Sequence, residues 1–240
     1  MNLYYKNGNV MIVPIANVDS MYYVVNSSTC PSTLVDIDGN VYNTVVVGSQ
    51  CWMKENLKTT HFNNGATIAS GLTNVQWSST TSGACTDYNN DTANTSKYGK
   101  LYNWYALNDP AGLCPVGWHE PKLTEWNVLI KTIDANADTN CVNCTPSLTA
   151  GGDMKEAGIL HWLNPNTGAT NSSGFTALPG GVRNGSNGYY SQIDNYAYFW
   201  SVSPYSTTTT YYFSIRANDA FITNNNVVNN SGFSVRCIKD

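Results

Sequence analysis

The chain has 240 residues, enough for one large domain, or a domain with an extension, around a substantial core. Only 12% of residues are charged, the net charge is −4, and Lys and Arg are scattered, which argues against a nucleic-acid partner. No apolar run approaches the length of a bilayer-crossing helix, so no membrane span is encoded.

The opening residues, MNLYYKNGNVMIVPIANVDS, lack a basic region followed by a continuous apolar one and do not read as an intact signal peptide. A leader already removed and delivery as part of a virion both stay open. Residues 1–32 are read as an N-terminal extension packed on a main domain spanning 33–240. In the extension, Val10 to Ile15 and Met21 to Val25 are short strand candidates, with Pro14 and Asn17-Val18-Asp19 as breakers. Leu34 to Ile37 and Val41 to Val47 then flank Asp38-Gly39-Asn40, a strong hairpin signal. Trp52, Met53 and Leu57 resume the apolar pattern.

From His61 to Ser96 the chain is rich in Asn, Ser, Thr and Gly and is predicted to be surface loop. Two runs place oxygens at alternate positions, Asp87/Asn89/Asp91 and Asp134/Asn136/Asp138/Asn140, as the first half of a calcium loop does. Neither has glycine at the sixth position or glutamate at the twelfth, where Tyr98 and Thr145 fall, so Asx turns account for both.

Lys100 to Leu107 is predicted as a first helix, stopped by Asn108-Asp109-Pro110. Leu123, Trp126, Ile130 and Ile133 recur at three- and four-residue spacing and predict a second from Leu123 to about Ala135, entered through Pro121. Leu148 to Gly188 is glycine- and asparagine-rich, with a turn at Pro179 to Asn184. Strands are expected at Tyr196 to Val202, Tyr211 to Ile215 and Phe233 to Ile238. The class is α+β.

No catalytic constellation stands out. There is no Gly-x-Ser-x-Gly, no phosphate-cradling glycine loop and no paired carboxylates in a strong setting. Of the three histidines, His119 belongs to a Gly-Trp-His-x-Pro turn, where a packed, hydrogen-bonded role is expected. The seven cysteines leave at least one thiol unpaired or intermolecular if the rest are oxidised. Cys141-x-x-Cys144 lacks further zinc ligands at matching spacing and a thioredoxin-like context, and is read as a local loop staple.

Four segments, in this order and spacing, carry a family likeness: Val35-Asp-Ile-Asp-Gly-Asn-Val-Tyr42, Gln50-Cys-Trp-Met-Lys-Glu-Asn-Leu57, Cys114-Pro-x-Gly-Trp-His-x-Pro-x-x-x-Glu-Trp126 and Gly232-Phe-Ser-Val-Arg-Cys237. They span roughly Thr33 to Asp240 and resemble the paralogous-domain family first noted in Fibrobacter succinogenes, whose members are similar to C-type-lectin-like and formylglycine-generating-enzyme-like domains. One departure is Lys122, where the family usually places Ser, Thr or Asp as a helix cap; such a loss costs about 1 kcal/mol.

The resemblance implies a C-type-lectin-like fold with two helices, paired terminal strands and long irregular loops, in which the hairpin after Thr33 meets the last strand at the base. It implies an oxidising destination, extracellular or on a cell or virion surface, and Cys114 with Cys237 as the best single disulfide pairing. No cofactor is expected, although lectin-like relatives hold calcium through oxygens that leave no linear motif, which keeps calcium open. Formylglycine-generating enzymes use a second cysteine some twenty residues upstream of the last; Tyr212 to Ala217 contains none, so oxidase activity is discounted.

Pro179 to Ile238 contains no Glu, Met, Leu, His or Lys and is crowded with Asn, Ser, Thr and Tyr. That is the vocabulary of antibody paratopes, where Tyr and Trp supply rigid contact area and Ser, Asn and Gly adaptable hydrogen bonds. The expected function is non-enzymatic binding of a protein or glycan ligand on another cell or particle through 195–230. Candidates are Tyr196, Tyr198, Trp200, Tyr205, Tyr211, Tyr212, Arg216, Asn218, Asp219, Phe221, Thr223, Asn224 and Asn226, with Trp200 and Phe213 expected in the core because alternate strand residues face opposite ways. The bias also resembles variable proteins of diversity-generating retroelements, in which adenine-directed mutagenesis of Asn codons yields Asn, Ser, Thr, Tyr, Asp and Ala but not Lys, Glu, Met, Gln or Trp. Ordinary tails of the Fibrobacter-type family share much of this composition, so a surface glycan- or cell-wall-binding module stands beside it.

Overall fold

A computed structural model describes residues 2–4, 10–12 and 30–240. β1 (Asn2–Tyr4) and β2 (Val10–Ile12) pair antiparallel; the expected strand at Met21 to Val25 lies outside the described residues. β3 (Thr33–Val35) and β4 (Val41–Val47) form the expected hairpin, and β4 continues into β5 (Gln50–Met53). Its turn is built by one carboxylate. Asp36 accepts from Asp38 N–H (3.0 Å), Asn40 N–H (2.9 Å) and Tyr42 Oη–H (2.6 Å), while Gly39 takes the φ of +82° that closes the loop.

The stretch predicted as loop holds two short helices, α1 (Asn74–Ser79) and α2 (Thr92–Tyr98), separated by β6 (Cys85–Thr86). Their signals are caps rather than periodicity: Thr73 and Gln76 form a reciprocal capping box, and Asp91 accepts from Ala93 N–H at 2.9 Å. The predicted first helix is corrected as well. Leu101 and Tyr102 are a strand, β7, paired with β6, because Tyr102 also exchanges backbone hydrogen bonds with Phe233; only Trp104–Leu107, α3, is helical, capped by Asn103.

β8 (Trp118–His119) leads to α4 (Leu123–Ile133), the predicted amphipathic helix, which buries Trp126, Leu129 and Ile130. Lys122 gives α4 no cap of its own, and other residues supply it: Leu123 N–H donates to Ser203 Oγ (3.0 Å) and Lys122 N–H to Glu125 Oε2 (2.7 Å). α5 (Ala150–Met154) and β9 (Gly180–Arg183) lie where irregular chain was expected, and β9 pairs with β10 (Tyr190–Ile193). β11 (Tyr196–Pro204), β12 (Thr209–Arg216) and β13 (Ile222–Val228) make an antiparallel sheet; β13, Ile-Thr-Asn-Asn-Asn-Val-Val, was hidden by its asparagines. Of the predicted last strand only Ile238 lies in a ladder, within β14 (Ile238–Lys239), since Gly232, Phe233 and Ser234 bridge three different neighbours instead.

The architecture is α+β with antiparallel sheets. In the five-stranded sheet, ordered β3-β4-β5-β14-β8, the last strand pairs with β5 and β8, so β5 stands between it and the β3–β4 hairpin that it was expected to meet. The core has two lobes. One gathers Trp52, Trp126, Phe175, Phe199 and Phe213, with ring centroids 5.0–5.9 Å apart. The other gathers Tyr42, Tyr102, Trp200, Phe233 and Val235 around the Cys114–Cys237 bridge. Trp200 and Phe213 are fully buried, as expected. Cys30–Cys51 and Cys141–Cys144 are also bridged, and Cys85 is a buried free thiol. Among the described residues no helix is long and apolar enough to cross a membrane.

Two predictions follow from these ties. Replacing Cys114 and Cys237 together by alanine, which opens a loop of 123 residues, lowers stability in chemical denaturation by about 2–5 kcal/mol. His119 bridges Glu125 (2.8 Å) and Asp240 (2.6 Å); partial burial pulls its pKa down, but the bonds to Glu125 and then Asp240 outweigh that and leave it raised. A raised folded pKa means that its stabilisation is full below the ordinary histidine value near 6.5 and fades as pH rises through the folded one. The stability gap between the wild type and His119→Gln is therefore expected to be widest in mild acid and to close in alkali.

Candidate binding surface

Along β11, β12 and β13 the side chains alternate between two faces. Ala197, Phe199, Phe213, Ile215 and Ile222 point inward and pack around Trp126 of α4, with Phe213 stacked on its ring at 5.0 Å. The other face carries Tyr196, Tyr198 and Trp200 on β11, Tyr212, Ser214 and Arg216 on β12, and Thr223 and Asn225 on β13. Register sets their neighbours: Tyr196 is opposite Arg216, Tyr198 opposite Ser214 and then Thr223, Trp200 opposite Tyr212 and then Asn225. Phe233 from the chain end covers Trp200, Ser214 is buried, Tyr196, Tyr198, Tyr212, Arg216 and Thr223 are half-exposed, and Asn225 is exposed.

The exposed part is stiffened by ring contacts. Tyr196 stacks on Tyr198 (5.2 Å, interplanar 7°) and Tyr198 on Phe233 (4.9 Å, 11°), a nearly parallel column of three rings, with Tyr212 packed on Phe233 at 4.9 Å. Such pairs are worth about 0.5–1.5 kcal/mol each beyond buried area. Burial raises the Tyr198 and Tyr212 phenols, so they remain hydrogen-bond donors at neutral pH. Arg216 is held by Tyr196 and Asp219, which raise its pKa in that order, and its guanidinium lies 5.9 Å from the Phe221 ring. Ser214 Oγ and Thr223 Oγ1 pair at 2.7 Å.

The turn after β12 is set from beneath. Lys155 has no exposed surface, and its ammonium donates to the carbonyls of Thr167 (2.8 Å), Arg216 (3.1 Å) and Asp219 (2.8 Å). Burial pulls it down to about 8, against an opposing pull from Asp219, so it is still charged at neutral pH.

Of the predicted residues, Tyr196, Tyr198, Tyr212, Arg216 and Thr223 come together on this face, with Asn218, Asp219 and Phe221 in the adjoining turn. Tyr205 sits at the β11–β12 hairpin and meets Tyr211 edge-on at 5.3 Å, away from the column, since Tyr211 falls on the opposite parity. Trp200 is core rather than surface. Asn224 is also corrected: it is 2% exposed, and its amide donates to Cys141 O (3.1 Å) and accepts from Cys144 N–H (3.2 Å), so it fastens a loop. Asn226 reaches Asn143 on the same loop at 2.9 Å. Asn225 was missed; the period of two that selects Thr223 also selects Asn225 once β13 is taken as a strand.

The alternating Asx runs serve the protein itself. Asp87 binds Lys100 (2.6 Å) and Thr95, and Asp134 accepts from Ser147 (2.6 Å) and Asn136 N–H (2.9 Å). Among the described residues no three His, Cys, Asp or Glu side chains gather as a cation site.

Replacing Lys155 by methionine takes this donor from the carbonyls of Thr167, Arg216 and Asp219 and is expected to lower stability by about 1–3 kcal/mol. Thermal unfolding checks the loss, and faster amide exchange in 216–221 locates it.

Neither a curated protein nor a solved structure matches the chain. The family model for the Fibrobacter succinogenes major domain matches residues 45–239, most of the chain, and the chain belongs to that family.

Proposed function

We propose that this member of the Fibrobacter succinogenes major domain family is a non-enzymatic ligand-binding protein, receptor- or adhesin-like, acting at a cell or virion surface or outside the cell. The observation that carries the reading is the half-exposed face of the β11–β13 sheet, where Tyr196, Tyr198 and Tyr212 are ordered by stacking and flanked by Arg216, Thr223 and Asn225. A surface of that chemistry, already rigid, loses little entropy on binding. Joining of the chain end to the N-terminal hairpin through β5, and the Cys114–Cys237 tie, support a C-type-lectin-like scaffold. Three disulfides support an oxidising destination. Formylglycine-generating relatives use a second cysteine some twenty residues upstream of the last, where this chain has Tyr212 to Ala217 and no cysteine, which weighs against oxidase chemistry.

Within this class, a variable receptor of the retroelement type is favoured by the half-exposed and exposed outward positions Tyr196, Arg216, Thr223 and Asn225, which lie outside both core lobes and can change with little effect on the fold. The second reading, a glycan- or cell-wall-binding module, draws on the aromatic column with Arg216 and Asn225 beside it, since sugars stack on rings and hydrogen-bond to amides and guanidinium groups.

Screening the purified chain on a glycan array and against a phage-displayed random-peptide library tests the site. Tyr196→Ala and Arg216→Ala are expected to weaken the binding found by about tenfold or more, equivalent to 1.4 kcal/mol, and Tyr205→Ala to leave it unchanged. No binding in either format, or binding indifferent to the two face variants, sinks the assignment. Sequencing the genomic neighbourhood separates the two readings: a reverse transcriptase with a near-duplicate template repeat marks the variable receptor, and glycan binding without them marks the module.

A further inference from the structure

We infer that the Cys141–Cys144 bridge is a dithiol-sensitive latch on the outer edge of β13, through which the register of Thr223 and Asn225 is held; its functional meaning rests on the binding surface proposed above. β13 is an edge strand of its sheet, and segment 141–147 covers that edge. Asn224 N–H donates to Cys144 O at 2.9 Å, and its buried side chain binds Cys141 O at 3.1 Å and Cys144 N–H at 3.2 Å. Asn226 Nδ2 adds a bond to Asn143 Oδ1 at 2.9 Å. Four hydrogen bonds thus run from β13 to the four residues that the bridge closes into a ring.

The next contact along the edge is held by other means. Ile222 N–H donates to Ser147 O at 3.1 Å, and Ser147 is fixed by its hydroxyl, which donates to Asp134 at 2.6 Å and accepts from Ala150 N–H at 2.9 Å. The bridge therefore governs Asn224 and not Ile222.

Its role is local, because a bridge between residues three apart removes less freedom from the unfolded chain than those spanning 21 and 123 residues. What it does is hold the Cys141 carbonyl and the Cys144 N–H and carbonyl where Asn224 can bind them. It is also the most approachable bridge: Cys141 and Cys144 are both half-exposed, whereas Cys51, Cys114 and Cys237 are buried.

In the reaction, a thiolate of the dithiol attacks one sulfur, the Cys141–Cys144 bond breaks and a mixed disulfide forms; the second thiol of the reagent then displaces it. The dithiol loses two electrons and two protons to become a cyclic disulfide, and Cys141 and Cys144 each gain one electron and one proton. The opened ring regains backbone rotations, Asn224 loses its ordered partners, and the edge of β13 is uncovered.

Amide hydrogen exchange on the full chain, oxidised and treated with reduced dithiothreitol, tests this without any ligand, and thiol alkylation with peptide mapping shows which bridge has opened. Alkylation is expected at Cys141 and Cys144, with exchange at Asn224 faster by about tenfold or more and exchange at Ile222 within about twofold of its oxidised value. The double variant Cys141→Ser with Cys144→Ser is expected to show the fast Asn224 exchange from the start and no response to dithiol. Unchanged Asn224 exchange in a chain alkylated at both positions overturns the latch, as does equal acceleration at Ile222 or a bridge that resists the reagent. Since no ligand enters, loss of the latch leaves the binding surface standing, and loss of the binding surface leaves the latch standing.

Discussion

The rest of the molecule depends on the way its last residues are threaded through it. Between Gly232 and Ile238 almost every backbone group is bonded to a different part of the chain: Gly232 to Arg183, Phe233 to Tyr102, Ser234 to Tyr198 and Trp200, Val235 to Leu57, Cys237 to Met53, Ile238 to the strands at Trp52 and His119. Arg236 lies at the centre, fully buried. Its guanidinium donates to Asn56 Oδ1 and to the carbonyls of Met53, Phe175 and Thr176, and it lies over the Phe175 ring at 4.5 Å. Burial pulls it down to about 9, which still leaves it charged at neutral pH. A charge so placed has no water to fall back on, so the two segments it binds, at Met53–Asn56 and Phe175–Thr176, must stay together with the chain end.

Arg236 is one of three buried cations, with Lys155 and Arg183, for which carbonyl oxygens serve in place of a contacting carboxylate. Arg183 is sandwiched between the rings of Trp77 (4.4 Å) and Tyr190 (4.9 Å) while donating to Gly188 O and Leu72 O. This explains how a chain with few charges organises so much irregular backbone. Long loops carry many carbonyls with no ladder to join, and a buried guanidinium or ammonium can satisfy several at once.

The division between scaffold and surface follows from the sheet of β11, β12 and β13. Trp126 draws one parity of side chains inward; on the other, Phe233 covers Trp200 and packs on Tyr198 and Tyr212, Ser214 is buried, and Tyr196, Arg216, Thr223 and Asn225 keep contact with solvent. Tyr196, Arg216, Thr223 and Asn225 lie outside the packing around Trp126 and are free to change. Asn224 marks the limit of that freedom: it sits in a run of three asparagines, yet its neighbours Thr223 and Asn225 face outward while it is buried against the Cys141–Cys144 loop.

Much was legible in the sequence wherever a local signal sufficed. The period of Leu123, Trp126 and Ile130 gave α4, Asp38-Gly39-Asn40 gave the hairpin, and aromatic alternation gave β11 and β12. The order of the four motif segments implied both the family and the pairing of Cys114 with Cys237. The short helices α1 and α2 were passed over because their evidence lay in single capping residues within polar sequence. β13 was passed over because asparagine disfavours strands until a neighbouring strand and Trp126 make one worthwhile. The sequence placed the proposed surface in the last third of the chain, but it could not say which of Tyr211 and Tyr212, or of Asn224 and Asn225, faces outward. A strand presents alternate residues to opposite sides whatever they are, and the choice of side belongs to the body that packs against it, which here comes from α4 and from the chain end, remote in sequence and adjacent only after folding.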